Sequence, residues 1–143
     1  MRDNALALAV ATWGGGFDVL YALQDIEFDR THRLYSLPAA IGGTRALFVA
    51  RVLHGATVVC LAAVGAATFT GASGGTFYAI GVLVTAALLV YEHSLVRPDD
   101  FSKLDAAFFT MNGVISIGFF LSALVERLVH SNPVVLALLR TGR

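Results

Sequence analysis

The stretch that decides the fold runs from Val52 to Tyr91, VLHGATVVCLAAVGAATFTGASGGTFYAIGVLVTAALLVY. Arg51 and Glu92 bound it, and its 40 residues contain no Lys, Arg, Asp or Glu. A helix needs about 20 apolar residues to cross the hydrocarbon core of a bilayer, so this run has room for two. Its middle, Thr70-Gly71-Ala72-Ser73-Gly74-Gly75, carries the small, flexible residues that a chain reversal needs. The expected element is a membrane hairpin.

Working outward, a second uncharged run from Ala106 to Val125 is 20 residues long and supplies another span. The first 24 residues contain only Asp18 as a charged residue after Asp3, and they supply a fourth. Spans are predicted near 4–24, 46–68, 76–95 and 105–128. Residues 1–143 then form one all-α integral membrane domain with about four transmembrane helices. Arg2 followed by an Ala/Leu run also has the form of a secretion signal. Asp3 weakens that basic start, and the run leads through Gly14-Gly15-Gly16 into an acidic cluster and not into a cleavage site.

Composition agrees with the bilayer as solvent. Of the 143 residues 57% are apolar and 14% charged, against about 25% charged in a typical soluble domain. A chain this small has too much surface for so few polar residues to cover in water. Ten basic and ten acidic side chains cancel, so there is no basic stripe for nucleic acid. The lone Cys60 can form neither an internal disulfide nor a zinc site.

Four antiparallel spans put loops 25–45 and 96–104 on one side, with Arg30, Arg33, Arg45, Arg51, Arg97 and Lys103. The other side holds Arg2, Arg127, Arg140 and Arg143. The basic bias places the two charged loops in the cytoplasm, and the expected location is the inner (plasma) membrane.

The chemistry is expected at the end of the first span, Phe17-Asp18-Val19-Leu20-Tyr21-Ala22-Leu23-Gln24-Asp25-Ile26-Glu27-Phe28-Asp29-Arg30. On one continuous helix Asp18, Asp25 and Asp29, spaced seven and four apart, share a face. Asp25 and Asp29 would stand about 6 Å apart and repel by roughly 3 kcal/mol at an effective dielectric near 20. A divalent cation turns that repulsion into a site, and Mg²⁺ suits one or two carboxylates completed by phosphate oxygens and water. A solvated helix end explains Asp25 and Asp29 alone equally well. Asp18, expected about two turns inside the span where a carboxylate is costly, favours one wall of a polar pocket.

The run from Phe17-Asp18 through Tyr21-Ala22, Asp25, Glu27 and Asp29, followed by Leu34, Ser36, Pro38 and Gly42, resembles the second aspartate-rich region of the UbiA-type membrane aromatic prenyltransferases. Tyr91-Glu92-His93-Ser94-Leu95-Val96 and Ala107-Phe108-Phe109-Thr110-Met111-Asn112-Gly113 are similar to that family's later helices, above all in its 4-hydroxybenzoate polyprenyltransferase-like members. The resemblance implies transfer of a polyprenyl group from polyprenyl diphosphate to an aromatic acid acceptor in ubiquinone or menaquinone biosynthesis, with Mg²⁺ as cofactor. It implies Asp25 and Asp29 as metal ligands and Asp18 as a deeper catalytic-site residue. Arg30, Arg33 and Arg45, in the next loop, would bind phosphate oxygens by charge-assisted hydrogen bonds or serve only as the positive-inside signal.

The family pattern has about nine spans and a first motif, Asn-Asp-x-x-Asp-x-x-x-Asp, which is not found in this sequence. The chain is therefore expected to correspond to the C-terminal half, to need the upstream half, and to be inactive alone.

Two other classes fit the same residues: a four-span proton-coupled transporter centred on Asp18, and a non-catalytic membrane partner subunit. A haem site on His54, His93 and His130 is disfavoured, because His54 is expected about 12 Å inside its span, His93 near the boundary and His130 past the opposite end. Gly14-Gly15-Gly16 weakens a helix and predicts close packing against a neighbour.

Overall fold

In the computed structural model of the chain, residues 2–69, 75–96 and 104–132 are described, the side chains of Arg2 and of 104–109 excepted. Thr70–Gly74 of the predicted reversal lies outside them, as do Arg97, Lys103, Arg140, Arg143 and the side chains of Phe108 and Phe109.

Six helices follow in order: α1 (Arg2–Tyr21), α2 (Ile26–His32), α3 (Leu37–Ile41), α4 (Gly43–Thr68), α5 (Thr76–Leu95) and α6 (Leu104–Ser131). Among the described residues there is no strand. Gly43–Thr68, Thr76–Leu95 and Thr110–Ser131 are long and apolar enough to cross a membrane. A fourth span exists if α1 and α2, bent by 76° at their break, count as one. The fold class is thus an all-α membrane bundle with three to four spans.

The long helices pack as two close pairs, α1 against α4 and α5 against α6, which meet along a looser α4–α5 seam. Apolar side chains fill three successive layers. Leu20, Leu23, Leu47 and Val96 form one, Phe17, Leu89 and Ile115 the next, and Ala9, Leu61, Val64 and Tyr78 the third. In lipid such layers hold helices together by close packing, not by expulsion of water.

Missing side chains set how closely α1 approaches α4. A Cβ on Gly16 would overlap the ring of His54, and one on Gly15 would touch Leu53. One turn away, the hydroxyl oxygens of Thr12 and Thr57 lie 2.9 Å apart. Gly15 and Gly16 thus do what the sequence predicts of the run, and let the Cδ2–Nε2 edge of a polar ring approach the α1 backbone.

The α5–α6 pair is pinned by a carboxylate. Glu126, 1% exposed, accepts hydrogen bonds from the backbone N–H of Gly75 (2.9 Å) through Oε1 and from Phe77 and Tyr78 (2.7 and 3.1 Å) through Oε2. His130 Nδ1 lies 3.0 Å from Oε1. The first N–H groups of any helix lack intrahelical acceptors, and its N-terminus carries partial positive charge. A side chain from α6 therefore supplies the cap that α5 lacks in its own sequence.

Two stability measurements on the detergent-solubilised protein check these contacts. Glu126→Ala should lower the thermal midpoint more than Glu126→Gln, which keeps one acceptor, because each orphaned N–H costs about 1–3 kcal/mol. Gly16→Ala should lower it through overpacking, worth about 1–3 kcal/mol. Adding His54→Ala to Gly16→Ala should then restore part of the loss, and failure to do so would place the strain elsewhere.

Candidate active site

The predicted acidic face does not lie on one helix. After Tyr21 the backbone bonds shorten from four residues to three, Leu23 N–H to Leu20 C=O (3.2 Å), Gln24 to Tyr21 (3.2 Å) and Asp25 to Ala22 (3.4 Å). The chain then turns by 76° into α2. α2 closes at Arg33, whose φ of 56° lies in the left-handed region, and the Leu34 N–H returns to Asp29 C=O at 2.8 Å. This wrapped C-terminal bond pattern ends a helix without a glycine. α3 restarts on Ser36, whose Oγ accepts from the Ala39 N–H at 3.3 Å, with Pro38 in its first turn.

The break redistributes the aspartates. Asp18 sits in the last turn of α1, so it is one turn from a helix end and not two, and it is exposed. Asp25 is the residue that precedes α2 and is also exposed. Asp29 is 8% exposed, one turn into α2, with its N–H bonded to Asp25 C=O at 2.7 Å. Asp25 and Asp29 therefore remain neighbours on one short helix, while Asp18 approaches the same bend from the other arm. The physical reason is that a regular helix cannot continue through the bend, so the seven-residue register from Asp18 to Asp25 is lost.

Asp29, Arg30, Arg33 and Ser36 line one open cavity of about 620 Å³ between α2 and α3. Arg30 reaches across it, its Nε–H bonded to Ala39 C=O at 3.1 Å, while Arg33 is exposed. The structure thus brings together Asp29 with Arg30 and Arg33, two of the predicted phosphate-binding arginines. Among the described residues no three His, Cys, Asp or Glu side chains are close enough to hold a metal ion. Two carboxylates one turn apart are nonetheless a donor set that Mg²⁺ accepts when phosphate oxygens and water complete its shell.

A second space, about 290 Å³ and almost wholly apolar, lies among α1, α4, α5 and α6. Leu6, Trp13, Leu61, Ile115 and Phe119 line it, with Thr57 and Ser116 as polar points. Its lining is that of a site for apolar groups.

Sequence reasoning missed a pair of histidines. His54 Nδ1 and His93 Nε2 are 3.0 Å apart, a direct hydrogen bond across the α4–α5 seam. Spans ending flush would hold the two rings at different depths. α4 begins at Gly43, and His54 lies about 16 Å along it, whereas His93 is in the last turn of α5. α4 therefore overshoots the end of α5 by roughly 13 Å. Phe17 packs on His54 with ring centroids 4.7 Å apart, so the pair is enclosed from the α1 side. Glu92, the next residue back from His93, is 1% exposed on the face that carries Leu89 and Val96.

The family model for the UbiA prenyltransferase family matches residues 4–124. No curated protein and no solved structure matches the chain.

Proposed function

Because the chain belongs to the UbiA prenyltransferase family, we propose that it is the C-terminal portion of a membrane prenyltransferase. It would move a polyprenyl group from polyprenyl diphosphate to an aromatic acid acceptor such as 4-hydroxybenzoate, in ubiquinone or menaquinone biosynthesis. The observation that carries this reading is the break between α1 and α2. Asp18 and Asp25 flank it, and Asp29, one turn further on, lines the α2–α3 cavity together with Arg30 and Arg33. Non-helical backbone at a membrane boundary is tolerated where it lines a protein cavity.

In this reading Asp25 and Asp29 hold Mg²⁺, which when bound neutralises the charge that develops on the departing diphosphate. Arg30 and Arg33 orient its oxygens through charge-assisted hydrogen bonds. The prenyl C1–O bond breaks, a bond to a ring carbon forms, and that carbon gives up its proton. The apolar cleft among the four long helices receives the tail and keeps water from the allylic cation. Asp18 positions the acceptor or the metal from the α1 side of the bend.

An exposed carboxylate in a membrane helix is unfavourable against lipid. The Asp18 face of α1 is accordingly assigned to contact with the upstream half of the enzyme, in an inner membrane with the aspartate-rich bend toward the cytoplasm.

Two assays test this. In membranes that supply Mg²⁺, a prenyl diphosphate and 4-hydroxybenzoate, the chain alone should give no prenylated product, and clear product would remove the need for an upstream half. In the chain joined to or co-expressed with that half, Asp25→Asn or Asp29→Asn should lower turnover at least about a hundredfold, the loss of roughly 3 kcal/mol of charge stabilisation. Activity retained by the double variant would overturn the metal–diphosphate assignment.

A further inference from the structure

A groove of about 590 Å³ follows the seam between α4 and α5, separate from the bend and from the apolar cleft. Its register is fixed by the hydrogen bond between His54 and His93. With the helices antiparallel, Arg51 faces the last turn of α5, where His93 and Ser94 lie, and Val58 faces Ala86 and Leu89. One end is polar, then, and the remaining wall, Gly55 and Val58 on α4 with Ala86, Leu89 and Val90 on α5, is aliphatic over about 6 Å of helix rise.

The polar end is not satisfied by the protein. His54, 2% exposed, has its Nε2 buried without a hydrogen-bond partner, and His93 Nδ1 is in the same condition. A neutral imidazole carries one N–H and one lone pair. The Nε2 edge of His54 lies against α1 at Gly16, so of the two ring nitrogens it is His93 Nδ1 that remains for an outside group, as donor or acceptor according to tautomer. Arg51 is the one permanent charge lining the groove among the described residues, and no carboxylate lines it. The wall is open to the surroundings of the bundle, since Val90 is 71% exposed and Arg51 and Gly55 are exposed too.

We propose that this groove binds an anionic phospholipid of the bilayer, its phosphodiester between Arg51 and His93 and the first part of one acyl chain along Val58, Ala86 and Val90. The charge count selects this occupant. A phosphodiester brings one negative charge to one permanent cation, whereas a prenyl diphosphate brings several and would require a metal that the groove has no carboxylate to hold. Basic pockets between membrane helices at the cytoplasmic side are a recognised way to bind anionic head groups, and the polar end lies at the helix terminus where such heads reside.

The test uses the delipidated full chain in detergent, followed by native mass spectrometry with dioleoyl phosphatidylglycerol, dioleoyl phosphatidylcholine, inorganic phosphate and a prenyl diphosphate without Mg²⁺. Phosphatidylglycerol should be retained about tenfold more strongly than phosphatidylcholine, the effect of one charge-assisted contact. Arg51→Gln should abolish that preference, and Arg45→Gln, six residues earlier on α4, should leave it. Val90→Trp, at an exposed position, should weaken phosphatidylglycerol retention with the charge unchanged. Circular dichroism checks that each variant keeps its helix content. Equal retention of the two lipids, persistence of the preference in Arg51→Gln, its equal loss in Arg45→Gln, or tighter binding of the prenyl diphosphate or of inorganic phosphate would each overturn the proposal.

Discussion

The contact on which the rest of the structure depends is the close approach of α1 to α4 over Gly15 and Gly16. Without a side chain at Gly16, the ring of His54 lies against the α1 backbone, and the Thr12 and Thr57 hydroxyls come within 2.9 Å. In a bilayer there is no water to expel between helices, so such proximity is what gives van der Waals packing and interhelical hydrogen bonds their strength. Glycine weakens a helix by up to about 1 kcal/mol relative to alanine. Here that loss is offset by a packed interface and by the placement of a polar ring at the crossing.

From this contact the other features follow in order. The α1–α4 pair runs up to Tyr21, where α1 ends and the chain bends into α2. The α5–α6 pair is made independently, by the Glu126 carboxylate under the first N–H groups of α5. The two pairs then meet along a seam bridged near one end by His54 and His93 and near the other by the Tyr78 hydroxyl, which donates to Leu61 C=O at 3.0 Å. Polar bonds at the two ends and aliphatic walls between them leave grooves along the seam that neither pair fills.

The bend itself is a balance between backbone and side-chain demands. Ending α1 at Tyr21 puts the negative end of a helix dipole at the break, with its last carbonyls taken up by the tightened turn from Ala22 to Asp25. Such a place favours cations. The following helices supply the complementary charge, with Arg30 held to Ala39 C=O across the α2–α3 cavity. Asp29, Arg30 and Arg33 all come from α2, at seven residues, and its C-cap, so one short segment brings acid and base to the α2–α3 cavity.

The all-helical membrane class was determined by the sequence alone. Forty uncharged residues between Arg51 and Glu92 admit no other arrangement than paired spans, because lipid demands that backbone groups bond within each segment. The identity of the acidic and basic residues near the bend, and the packing role of the glycines, were legible for the same reason: residue type and local spacing carry them. Only the tertiary structure decided that Asp18 lies on one arm of a bend and Asp25 and Asp29 on the other, that Glu126 caps a helix beginning about 50 residues before it, and that His54 meets His93. These depend on where helices stop and how far one overshoots its neighbour, quantities set by contacts between segments distant in the chain, which no local periodicity encodes.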